Sequence, residues 1–191
     1  MLINVPIALT WMRVLLIPMM VCLFYCSNGI TEPMRDLFAS MLFLFAALTD
    51  WLDGWLARRL NQTTSFGAFL DPVADKLMVC SSLIILLELG RIDLLVTLII
   101  IGREITVSAL REWMAIMGAR ASVAVHRIGK IKTMFQMIAI PCLLYGRSIL
   151  GIDLLFFGNI LIIMASILTV WSMLYYIRRA WCILNIKNKN I

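Results

Sequence analysis

The sequence is short of charge. Only 15% of its 191 residues are Asp, Glu, Lys or Arg, and 62% are hydrophobic; a soluble domain carries about 25% charged and roughly 45–50% apolar residues. Histidine is nearly absent, His126 being the sole one, and the five cysteines (Cys22, Cys26, Cys80, Cys142, Cys182) are scattered through apolar sequence. These scarcities exclude a Cys/His metal centre, which needs its ligands in clusters, and the cysteines read as small buried or lipid-facing residues. A basic n-region and a small-residue cleavage site are both missing at the start, so the first apolar run is expected to be retained. Internal repeats are missing too, and no length is left for a separate soluble domain.

What is present is apolar sequence in lengths that suit a bilayer. A spanning helix needs about 20 mostly apolar residues, so the chain is expected to be an all-α integral membrane protein, a single domain over residues 1–191 with six transmembrane helices. Asn4 and Pro6 suit the start of the first span, as cap and first-turn residue; it runs from about Ile7 to Cys26 and ends at Ser27-Asn28-Gly29. The others are expected from Leu37 into the Asp50 region, Pro72 to Leu87, Leu94 to Met114, Thr133 to Leu144 and Leu154 to Tyr176, before a basic tail frayed near its end. Arg13 falls one or two turns inside the first span. It either snorkels to the interface or faces an internal anionic site.

The net charge of +6 speaks of topology and anionic partners; a nucleic-acid surface is not expected on so apolar a chain. With six spans, one side collects Arg58, Arg59, Arg120, Arg127, Lys130, Lys132, Arg178, Arg179, Lys187 and Lys189, and the other only Arg35, Arg91 and Arg147. By the positive-inside rule the basic side is cytoplasmic. Most tryptophans fall near span ends, where interfacial anchors sit.

Four aspartates on the cytoplasmic side need explaining. Asp50 and Asp53 are three apart, and Asp71 and Asp75 four apart, so each pair shares a helix face. Two helices joined by a short turn around Asn61–Ser65 would be antiparallel neighbours, and all four carboxylates could then converge. Each Asp at mid-membrane costs about 2.5–3.5 kcal/mol on insertion scales, and convergent carboxylates repel unless cations sit among them. Oxygen-only ligands suit Mg²⁺, Mn²⁺ or Ca²⁺, and four aspartates suffice to bridge two such ions for phosphoryl transfer. Helix capping by Asp71 ahead of Pro72, and pairing of Asp50 with Arg58 or Arg59, would explain one or two of the four without any metal. Gly54 and Ala57 keep the surface beside Asp50 and Asp53 low, leaving room for a nucleotide or a helix backbone.

The run D-x2-D-G-x2-A-R-x8-G-x3-D-x3-D from Asp50 to Asp75 resembles the signature of the CDP-alcohol phosphotransferase family, with all eight fixed positions present. The resemblance extends over essentially the whole chain, through Asn4-Val-Pro6 to Arg13, Arg103-Glu104-Ile105, Leu110-Arg111-Glu112-Trp113 and Gly129-Lys130-Ile131-Lys132-Thr133. It implies a polar, metal-containing cavity open to the cytoplasm and laterally to lipid, in a homodimer of the bacterial inner membrane. Asp50, Asp53, Asp71 and Asp75 would hold two Mg²⁺ or Mn²⁺ ions, with Asp75 also the base. Gly54, Ala57, Arg58 and Gly67 would shape the pocket for the CDP part of CDP-diacylglycerol. The implied reaction passes the phosphatidyl group to sn-glycerol 3-phosphate, with release of CMP.

A dianionic acceptor needs further cations. Arg103 and Arg111, two turns apart, and Lys132 are expected to take its phosphate, while Arg127 and Lys130 suit the solvated basic face equally well. Two other readings stay open: a related transferase with serine, an inositol-type alcohol or phosphatidylglycerol as acceptor, and a cation or proton transporter built on the aspartates.

Overall fold

The computed structural model describes residues 5–26, 29–60, 65–116, 127–149 and 151–188. Six helices make up nearly all of them: α1 (Val5–Tyr25), α2 (Glu32–Leu60), α3 (Ser65–Glu88), α4 (Leu94–Ile116), α5 (Arg127–Tyr145) and α6 (Leu154–Asn188). A small antiparallel pair, β1 (Ser148–Ile149) and β2 (Ile152–Asp153), lies between α5 and α6 with Ser148 opposite Asp153.

The helix boundaries follow local chemistry. Asp93 caps α4, its Oδ1 accepting the Leu95 N–H at 2.8 Å, and Asp153 caps α6 by accepting from Leu155 and Phe156. Gly90 closes α3 with φ +65°, its N–H donating to the Leu87 carbonyl while the Arg91 N–H reaches that of Leu86. Pro6 does stand in the first turn of α1; Asn4 lies outside the described residues.

Several expected limits move. α3 begins at Ser65, so Pro72 lies in its interior and Asp71 is no N-cap. Pro72 brings no N–H, which leaves the residue-68 carbonyl without its helical donor beside the acidic positions. α2 continues through Asp50 to Leu60, α5 starts at Arg127, and α6 runs on past the expected span end at Tyr176 as helix to Asn188. Charge ends an apolar run without ending a helix.

Among the described residues two helices, through Ala8–Tyr25 and Leu154–Leu174, are long and apolar enough to cross a membrane. At 1.5 Å per residue, the 21 residues of α1 match a hydrocarbon core of about 30 Å. Elsewhere polar groups interrupt the apolar run, with Asp71, Asp75 and Lys76 in α3 and Arg103, Glu104, Arg111 and Glu112 in α4. The surface is inverted relative to a protein in water. Leu15, Leu95, Ile116, Ile167 and Trp171 stand exposed, while Thr10, Arg13, Asp36, Arg103, Lys132 and Gln136 are buried. That distribution is the one an all-α membrane protein presents to lipid.

The chain forms two compact units, Met1–Ile92 with Ala139–Asn159, and Asp93–Ile138 with Ile160–Ile191. In the first, Met20, Phe43, Leu83, Leu86 and Leu143 are fully or nearly fully buried. Arg91 ties this unit together away from the acidic positions. Its Nη2 pairs with Asp36 on α2, and its Nη1 donates to the Leu143 and Leu144 carbonyls at the end of α5. Gly146, at φ +60°, makes room for it, since a Cβ there would stand 2.7 Å from Arg91 Nη1. In the second unit Ile100, Val107, Met114, Ile162 and Ala165 are buried.

Candidate active site

Among the described residues, α1 packs on both α2 and α3. Through Arg13, α1 reaches acidic positions on both of these helices. Three contacts set the register of α1 on α3: Thr10 with Asp71, Arg13 with Asp75, and Met20 with Ser82. Their offsets of 61, 62 and 62 residues are nearly constant and increase along both helices together, so α1 and α3 run parallel.

Thr10 and Arg13, three apart on α1, thus face Asp71 and Asp75, four apart on α3. Thr10 Oγ1 donates to Asp71 Oδ1 at 2.5 Å. Arg13 Nη1 lies 2.5 Å from Asp75 Oδ1 and 3.1 Å from Asp50 Oδ1 on α2. Those two carboxylate oxygens share one nitrogen, so their separation is no more than the sum of the two distances. Arg13 is 1% exposed, against 39% for the Asp50 side chain and 35% for Asp75. The buried arginine faces an internal anionic site; it does not snorkel. Sequence offered this as one of two readings, without naming the carboxylates it meets.

The fit of this cluster to a divalent cation can be judged from its donors. Among the described residues no three His, Cys, Asp or Glu side chains form a complete metal-binding group. Asp53 follows Asp50 by three residues in helical backbone, its side chain outside the described residues. What is described has the right chemistry: oxygen-only carboxylates, partly exposed, two of them sharing one cation. Among the described contacts, Arg13 pairs with both Asp50 and Asp75, two carboxylates to one guanidinium, while Asp71 is held by the uncharged Thr10. Hard ions such as Mg²⁺ or Mn²⁺ suit that set, and zinc does not.

Gly67 is buried one turn ahead of Asp71. Gly54, Ala57 and Arg58 lie in the helical backbone of α2, and their side chains fall outside the described residues, as does that of Arg111 on α4. Of the expected acceptor-phosphate residues, Arg103 and Lys132 come together within the second unit. Both reach Oε1 of Glu104, Lys132 Nζ at 3.5 Å. Arg127 and Lys130 begin α5 and have no described side chain.

An acidic cluster gathered on a buried arginine, within the signature spacing, is the pattern that known proteins can be asked about. Residues 3–171 match the sequence profile of the CDP-alcohol phosphatidyltransferases. The chain belongs to that family. It is 46% identical over 180 residues to the CDP-diacylglycerol–glycerol-3-phosphate 3-phosphatidyltransferase of Salmonella choleraesuis, covering 93% of this chain and 94% of the relative. It is 47% identical to the proteins of the same name from Shigella flexneri serotype 5b and Escherichia coli K12, over 184 and 180 residues with the same coverage. Family membership thus explains why the eight signature positions, from Asp50 to Asp75, keep their spacing within a chain otherwise so apolar.

Proposed function

We propose that this transferase moves the phosphatidyl group of CDP-diacylglycerol to sn-glycerol 3-phosphate, giving phosphatidylglycerol phosphate and CMP. The observation that carries the reading is the buried Arg13 joining Asp50 to Asp75, in a chain 46–47% identical over nearly its whole length to transferases named for that reaction. Asp50, Asp53, Asp71 and Asp75 would hold two divalent ions, Mg²⁺ or Mn²⁺. When bound, these supply positive charge to the diphosphate and the leaving CMP.

The remaining work falls to the chain's own side chains. Gly54, Ala57 and Gly67 leave room for the cytidine diphosphate, and Arg58 offers its phosphates a charge. Asp75, with Oδ1 fixed by Arg13, receives the proton of the acceptor hydroxyl. The hydroxyl oxygen then bonds to the β-phosphorus as the bond to the CMP oxygen breaks. Arg103, Arg111 and Lys132 take the acceptor's phosphate. In this reading all six helices span the bacterial inner membrane, the site opens to the cytoplasm and to lipid, and the protein is a homodimer.

The test is CMP release by purified protein in detergent, with CDP-diacylglycerol, Mg²⁺ or Mn²⁺ and sn-glycerol 3-phosphate. Serine, inositol and phosphatidylglycerol compete as acceptors, and folded Asp75→Asn serves as control. Release that requires sn-glycerol 3-phosphate and vanishes in the variant is expected. Release with a different acceptor only would overturn the substrate. No release with any acceptor would overturn the reaction and favour ion transport through the aspartates.

A further inference from the structure

Glu104 holds two buried cations with one oxygen. Arg103 Nη1 and Lys132 Nζ both reach its Oε1, on side chains only 7% and 4% exposed. Adjacent residues on a helix do not face each other, so the Arg103 guanidinium has to reach sideways along α4 to make this contact. Two positive charges meet one negative charge, and Arg103 Nε is buried with no hydrogen-bond partner. Buried cationic donors left short of acceptors and of countercharge make a site for an anion. Glu104 itself is 19% exposed, so of the three it is the one with a path to water.

We propose that Glu104 is the resident counter-anion of the acceptor-phosphate site: it holds Arg103 and Lys132 together when no substrate is bound and yields them to an incoming phosphate. This rests on the assignment of Arg103 and Lys132 to the acceptor and adds a residue to it. A phosphate dianion brings two charges and several acceptor oxygens, and a guanidinium binds it through paired donors. The carboxylate offers one charge. Exchange therefore favours phosphate, while Glu104 keeps two like charges from repelling in its absence and competes for them again at product release. Glu104 is thus a positioning residue that sets affinity for the acceptor.

The experiment is titration of the full-length protein in detergent with inorganic phosphate, sn-glycerol 3-phosphate and uncharged glycerol, for wild type, Glu104→Gln and Glu104→Asp. Steady-state CMP release is measured beside it. Wild type is expected to bind both phosphates and not glycerol. Glu104→Gln, with the competitor's charge removed, is expected to bind them about tenfold more tightly, the size of one charge-assisted contact. Its KM for sn-glycerol 3-phosphate falls without a rise in kcat. Glu104→Asp withdraws the carboxylate by one methylene and shows the same change at smaller size, and it carries the test if the glutamine variant does not fold. Equal or weaker phosphate binding in the folded variants would overturn the role of Glu104 and leave the transferase reading intact. A wild type that releases CMP on glycerol but binds neither phosphate would overturn both the acceptor and this inference.

Discussion

Arg13 and Asp75 stand 62 residues apart in the chain and 2.5 Å apart in the fold, guanidinium nitrogen to carboxylate oxygen. The same nitrogen reaches Asp50, so one buried cation on α1 fixes the relative placement of acidic residues from two other helices. Arg13→Met keeps the length of the side chain and removes that link. Breaking a fully buried pair costs about 3–5 kcal/mol; with the carboxylates 39% and 35% exposed, water recovers part of it. We expect a loss of about 1–3 kcal/mol in stability and about 10–100-fold in CMP release. Arg13→Lys, a point charge in place of a fork, should fall between. Thermal unfolding in detergent and CMP release measure the two effects, and a fully active, stable Arg13→Met would show the contact to be incidental.

Thr10 holds Asp71 by a hydroxyl alone. Thr10→Val is nearly isosteric and removes the donor, so stability should drop by about 1.5–3 kcal/mol, the range for a hydrogen bond to a charged acceptor. Thr10→Ser keeps the donor and should keep most of the activity. If valine and serine behave alike, the orientation of Asp71 does not depend on this bond.

Metal removal tests the donor chemistry. Chelation should abolish CMP release, and added Mg²⁺ or Mn²⁺ should restore it where Zn²⁺ does not, since every candidate ligand is a carboxylate. Activity that survives exhaustive chelation would exclude a metal role for the aspartates.

The contact between Arg91 and Asp36 supplies a control remote from the chemistry. Arg91→Met leaves Asp36 buried without this partner and releases the α5 carbonyls, a loss of about 3–5 kcal/mol. The double variant with Asp36→Asn should lose less than the two single losses added. Turnover per folded molecule should stay near wild type. Selective loss of turnover at unchanged melting temperature would contradict a purely structural role.

The acidic positions were legible in sequence because their spacing is local: three and four residues on a helix put carboxylates on one face. An internal anionic site was one of two readings for Arg13, but its partners were not legible, because they lie in other helices and nothing in an apolar span says which neighbour it meets. For the same reason α1 was not seen as the element joining α2 to α3. A helix start was misjudged where polarity stood in for structure, at Pro72, read as a first-turn proline although α3 starts at Ser65; the sixth span was placed well, its apolar stretch running from Leu154 to Leu174 within a longer helix. The pairing of Arg103 and Glu104 was one of the options sequence left open; that Lys132 joins them on the same oxygen required the fold.

The parallel seating of α1 on α3 also bears on how the protein is made. α1 leaves the ribosome before α3 and is apolar enough to enter the bilayer, carrying Arg13 with it. Asp75 is added 62 residues later, roughly 3–12 s at about 5–20 residues per second. Asp50 precedes Asp75 in the chain, so until Asp75 is added the arginine has at most one of these two partners, and an unpaired arginine costs about 2.5–3.5 kcal/mol if it sits at mid-membrane. The first helix is thus inserted provisionally and secured only when the third arrives. A chain stalled before α3 would leave a charged, half-committed helix for membrane quality control to find.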